Sequence, residues 1–102
     1  MSSEPHRSLA TLSPSGEFDL HNVTSLGAEI EMAAAVNNTV LLDASKITFG
    51  DSSFLRVILD FHHRTDLRIV SPSPRVARLF ALAGVDTFLQ IYPTPEAART
   101  AS

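Results

Sequence analysis

The sequence predicts one small α/β domain built on a mostly parallel sheet. Three observations carry this. The chain is 102 residues long, the size of a single domain. From residue 39 onward, aliphatic runs alternate with segments of helical periodicity, the mark of βαβ units. The first of these runs, Thr39 to Asp43, reads TVLLD, a continuous apolar stretch of the kind found in strands covered on both faces.

The elements follow in order. Residues 1–7 are polar and are expected to be a flexible N-terminus, with the folded domain over 8–102. Ser8 to Leu12 alternates weakly, meets the turn signal Ser13-Pro14-Ser15-Gly16, and resumes alternation at Glu17 to Leu20. A β-hairpin or a broken strand is expected there. Val23, Leu26, Ile30 and Ala33 recur at helical spacing, predicting a helix over about Asn22 to Val36 with Asn22 as its cap. Ser45 to Gly50 reads as a connector with at most a short extended piece. Phe54, Leu55, Ile58, Leu59 and His62 then form a helical stripe, with Arg56, Asp60, His63 and Arg64 outside it, so a helix is placed at about Ser52 to Arg64. Leu67 to Val70 is the next buried strand. Ser73-Pro74 opens a helix with a hydroxyl cap and proline at its first position. Val76, Leu79, Phe80 and Ala83 make its buried face, and Gly84 suits a left-handed cap. Arg75 and Arg78 are expected on its solvated side. Phe88 to Tyr92 is the last strand. Thr94-Pro95 opens a final helix whose apolar stripe is alanine, which predicts a loosely held end.

Composition removes several function classes. The chain has no cysteine, so disulfide frameworks, zinc-thiolate sites and iron–sulfur clusters are excluded. A net charge of −3 argues against binding along a nucleic-acid backbone, which calls for a basic stripe. No apolar run reaches the length of a spanning helix and the first residues lack a signal-peptide core, so direct membrane contact is not expected and a cytoplasmic location is. No GxGxxG, P-loop, HExxH or GxSxG pattern occurs, so neither a catalytic residue nor a cofactor is expected. His62 and His63 are adjacent and would point about 100° apart on a helix, so they cannot share a metal. His62 is expected to be half-buried and hydrogen-bonded. His6 and His21 have no ligand spacing, and no metal site is expected.

The informative stretch is Ile47 to Arg56, in which Asp51-Ser52-Ser53 stands where a loop becomes a helix. One serine as an N-cap is the plain reading, since the first helical turn has N–H groups without partners. The functional reading is that a hydroxyl there accepts a phosphoryl group, whose charge suits a helix start.

These residues resemble a known family. The strand Thr39 to Ser45 followed by ITFGDSSFLRVIL (Ile47 to Leu59) resembles the STAS-domain family of bacterial anti-sigma factor antagonists. Gly16-Glu17-Phe18-Asp19-Leu20 is similar to the family's segment before its first helix, and Leu67 to Gly84 to its late strand and helix. The resemblance implies a mixed, mostly parallel sheet of four to five strands with an N-terminal antiparallel element and about four helices. It implies phosphorylation at Ser52, with Ser53 as the alternative, by an anti-sigma factor that has serine kinase activity, and reversal by a phosphatase. It implies a partner-binding surface of Asp19, Asp51, Ser52, Ser53, Phe54 and Arg56. Family members often carry glycine where Phe54 and Arg56 stand. Arg56 lies four residues after Ser52, the spacing at which helical side chains meet. The competing expectations are a cytosolic STAS module of a membrane transport system and a STAS scaffold that is never phosphorylated.

Overall fold

The computed structural model describes residues 8–101. The expected flexible segment 1–7, with His6, lies outside them. The elements are β1 (Leu9–Leu12), β2 (Gly16–Phe18), α1 (Val23–Val36), β3 (Thr39–Asp43), β4 (Ile47–Gly50), α2 (Ser52–Arg64), β5 (Asp66–Val70), α3 (Pro74–Ala83), β6 (Gln90–Tyr92) and α4 (Pro95–Thr100).

The strands form two sheets. One has the order β1-β3-β5-β6 and the other is the pair β2-β4; every pair among the described residues is parallel. This corrects the expected N-terminal hairpin and antiparallel element. β1 runs beside β3, while β2 pairs with β4, the segment read as a connector. The Ser-Pro-Ser-Gly turn therefore carries the chain from one sheet to the other instead of folding it back. Gly16 takes φ +95°, open to glycine and strained for other residues, and its N–H bonds the Lys46 carbonyl at 2.9 Å.

The period of two along the central strands distributes their side chains between two layers. Val40 and Leu42 of β3, with Leu67 and Ile69 of β5, join the main core with Leu26, Ile30, Ile58, Phe61, Val76 and Phe80 from α1, α2 and α3. Leu41 and Val70 point the other way, against Ala98 of α4, with Leu9 and Tyr92 at the margin. Both faces of TVLLD are covered, as its unbroken apolar run predicts.

The helix ends are specified locally. Ser73 Oγ accepts from Val76 N–H at 3.3 Å and donates to the Ile47 carbonyl at 2.6 Å, so one hydroxyl caps α3 and ties it to β4. Gly84 closes α3 at φ +74°. Thr94 caps α4 by accepting from Ala97 N–H at 3.1 Å. Asn22 stands at the N-cap of α1 as expected, but its side chain makes no capping bond. Its Oδ1 accepts from Asp19 N–H at 2.8 Å and its Nδ2 donates to the Glu17 carbonyl at 2.7 Å, so it holds the turn before the helix. The last strand is shorter than expected. Phe88 and Leu89 lie in a turn, and only Gln90–Tyr92 pairs with β5.

The C-terminal helix is not loose. Arg68, buried in β5, donates to the Ala98 carbonyl at 2.6 Å and the Ala101 carbonyl at 2.9 Å. Its guanidinium also meets both oxygens of Asp66, at 3.2 and 2.9 Å. Asp66 in turn accepts from Thr39 Oγ1 at 2.9 Å and Gln90 Nε2 at 2.7 Å. Four elements are thus joined by one ion pair on the face that alanines alone would hold weakly.

Candidate functional site

The site is built where β4 gives way to α2. Asp51 is the N-cap. Its Oδ1 accepts from Ser53 N–H at 2.8 Å and Phe54 N–H at 3.2 Å. The carboxylate therefore satisfies two N–H groups of the first turn and places negative charge at the favourable end of the helix. The serine-cap reading is corrected: Asp51 caps, and Ser52 is the first helical residue. Its side chain is exposed, and its hydroxyl makes no hydrogen bond among the described residues. Ser53 is half-buried. The serine that the resemblance points to is thus the more accessible of the two.

The loop is fixed from below. Asp51 N–H donates to the Phe18 carbonyl at 3.2 Å, and Phe18 is in register with Gly50 across the β2-β4 pair. Asp19, next in the chain, is brought beside the cap by this bond. Its own carboxylate accepts from His21 N–H at 2.9 Å, and its carbonyl accepts from Val23 N–H at 2.9 Å. Leu20, exposed beside it, adds apolar surface that the sequence reading did not select. Its signal is an aliphatic residue inside a polar turn.

Phe54 is corrected as a partner-binding residue, because its side chain has no exposed area. It lies in a column of three rings. Phe18 is 6.1 Å from it on one side, and Phe80 is 6.4 Å away and nearly parallel on the other. These offset contacts join β2, α2 and α3. Gly50 makes room for the ring: a Cβ there would come within 2.9 Å of Phe54 Cγ. Phe54 supports the serine loop and does not face a partner.

The exposed side of α2 forms a groove of about 350 Å³ lined by Ser52, Leu55, Arg56, Leu59, Asp60 and His63. Leu55 and Leu59, expected in the buried stripe, are only half-buried and form its apolar floor. Asp60 is engaged by Arg64 at 3.1 Å, and Arg64 also reaches Glu31 at 3.4 Å. Arg56 has no ion-pair partner among the described residues. His62 is half-buried as expected but not hydrogen-bonded at Nδ1, which is enclosed without a partner while the ring packs on Phe88 at 5.5 Å.

The comparisons agree with this architecture. The STAS domain family model matches residues 2–98. The chain belongs to the STAS domain family. An anti-sigma factor antagonist from Mycobacterium paratuberculosis is 26% identical over 95% of this chain and 87% of its own, with a TM-score of 0.81. The unphosphorylated anti-sigma factor antagonist SpoIIAA is 23% identical over 95% and 90%, with a TM-score of 0.73. The STAS domain of a SulP transporter from Vibrio cholerae is 21% identical over 94% and 81%, with a TM-score of 0.67. No curated protein sequence is significantly similar to this one. The likeness to SpoIIAA and to the transporter domain is one of fold. No helix among the described residues is long and apolar enough to cross a membrane.

Proposed function

We propose that this STAS domain is a cytoplasmic anti-sigma factor antagonist controlled by phosphorylation of Ser52. The unphosphorylated domain docks the Ser52 loop and the exposed groove of α2 on an anti-sigma factor, which releases its sigma factor. That partner is also the serine kinase, and phosphate on Ser52 ends the docking until a phosphatase removes it. The observation that carries this reading is the free, exposed Ser52 hydroxyl on the first turn of α2, beside a cap already supplied by Asp51. A serine that capped the helix would be occupied; this one has no structural task among the described residues. The domain is the substrate in this reading, not an enzyme.

Incubation with candidate anti-sigma kinases and ATP, followed by mass mapping, tests it. One phosphate on Ser52 is expected, and Ser52→Ala is expected to abolish it. Absence of phosphate from both Ser52 and Ser53 with a kinase that binds the chain would overturn the switch.

Arg56 gives a second expected result. It shares the groove with Ser52 at four-residue spacing, and Asp60, the carboxylate it would otherwise meet, is held by Arg64. A Ser52 phosphate pairs with the Arg56 guanidinium. In the phosphorylated protein that pair contributes about 0.5 kcal/mol, or roughly 3 °C of Tm. Measuring Tm before and after phosphorylation in the wild type and in Arg56→Ala isolates it. Equal phosphorylation-dependent shifts in both proteins would remove the pair.

The likeness to the SulP transporter domain favours a second reading, a STAS module that docks on a membrane transport protein. A pull-down enriched in permease components, with no kinase, would support it.

A further inference from the structure

A second surface shares no lining residue with the α2 groove. Between β4 and α3 runs a cleft of about 440 Å³, lined by Phe49, Gly50, Arg75, Arg78, Leu79 and Leu82. The four α3 residues are spaced i, i+3, i+4 and i+7, so they form one stripe along about two turns of the helix. The buried stripe of α3, with Val76 and Phe80, is a different one. Arg75 and Arg78 therefore do not simply face water; they rim an apolar floor.

Three features say what this cleft takes. Phe49 is 41% exposed and Leu82 76% exposed, so both β4 and α3 present apolar side chains to solvent there. Neither Arg75 nor Arg78 has an ion pair among the described residues, and no carboxylate lines the cleft. Glu17 lies in the adjoining recess with Thr48, beyond Arg75 and Phe49, without reaching ion-pair distance. Finally, the cleft is a trough and not an enclosed cavity. A small ligand that binds well has most of its surface buried, which this shape does not provide. A helix laid along a trough buries one face through anchors at i, i+3, i+4 and i+7 and leaves the other in water.

We infer that the α3–β4 cleft docks an acidic amphipathic helical segment of a protein partner, its apolar face on Phe49, Leu79 and Leu82 and its carboxylates on Arg75 and Arg78. The α2 groove offers one unpaired arginine, Arg56, with Asp60 in its lining, whereas this cleft offers two arginines and no carboxylate, so an acidic segment is steered here. The inference stands whether or not Ser52 is phosphorylated.

The test is an NMR titration of the ¹⁵N-labelled full chain. The probe is a synthetic amphipathic peptide of about 15 residues with leucines on one face and glutamates on the other; its twin carries lysines in place of the glutamates. Saturable shifts confined to residues 47–50 and 75–82 are expected with the acidic peptide and none with the twin. Arg75→Glu with Arg78→Glu is expected to weaken the acidic peptide at least about tenfold, and Ser52→Asp to leave it unchanged. Equal binding of the lysine twin, shifts spread over the whole surface, or no saturation would overturn the inference. So would saturation of the cleft by ATP or dodecanoate under conditions where the peptide does not bind.

Discussion

In the proposed switch, phosphate on Ser52 is expected to weaken binding to the anti-sigma factor by about 100-fold, which corresponds to about 2.7 kcal/mol. The group adds nearly two negative charges and a bulky set of oxygens at a surface that must come into contact, and one desolvated clash of this kind accounts for the loss. Ser52→Asp carries less charge and volume and is expected to reproduce part of it, about tenfold or more. A negative charge on the first helical turn favours the helix. Ser52→Asp should therefore melt no lower than the wild type, so any lost affinity is not lost folding. Ser53→Asp, at a half-buried position, is the internal comparison. Calorimetric titration of the partner with the phosphorylated, Ser52→Asp and unmodified proteins measures all of this. Undiminished affinity in the phosphorylated protein would leave a constitutive scaffold as the reading.

Arg68→Ala is expected to be the most destabilising substitution outside the apolar core, at about 3 kcal/mol. It removes the buried partner of Asp66 and strips hydrogen bonds from the Ala98 and Ala101 carbonyls. For a domain of this length that is roughly 15 °C of Tm. α4 should also become the first site of proteolysis, since its alanines bury little area once the guanidinium is gone. Acid titration reports the same cluster. Burial tends to raise the Asp66 carboxyl, but hydrogen bonds from Arg68, Gln90 and Thr39, with the charge of Arg68, hold it below its ordinary value. A carboxyl depressed by folding adds stability above its unfolded pKa, and that part is lost as pH falls through the folded value. Denaturant melts between pH 7 and the acid limit should show this loss in the wild type and a flatter profile in Arg68→Ala. Parallel profiles would mean that Arg68 does not set the state of Asp66.

The helices and central strands were legible because apolar periodicity and capping residues agree with each other over long runs. TVLLD, the Val76–Phe80 stripe, Ser73-Pro74 and Gly84 each point to the element that forms. The N-terminal third was less legible because β1 and β2 are short, and short strands say little about their partners. Their neighbours, β3 and β4, lie some 30 residues away along the chain. At the site, Asp51 and Ser52 could be placed at a helix start, but two adjacent oxygens can both cap, and only geometry decides which one does. Phe54 fits both the apolar stripe of α2 and the partner-binding surface that the resemblance implies. Nothing local shows that the Phe18 and Phe80 rings enclose it. Arg68 escaped notice because charge inside an apolar run reads as an interruption until its carboxylate and carbonyl partners are known.

The column of Phe18, Phe54 and Phe80 has a consequence for any encounter at Ser52. It seats the first turn of α2 on β2 and α3 at once, so the loop has little conformational freedom left to lose when a second protein arrives. Ordering costs, and any induced change of shape, then fall on that second protein. In the proposed switch the domain is then the template and its partner the part that adapts, so one unchanged surface would serve both for docking and for modification.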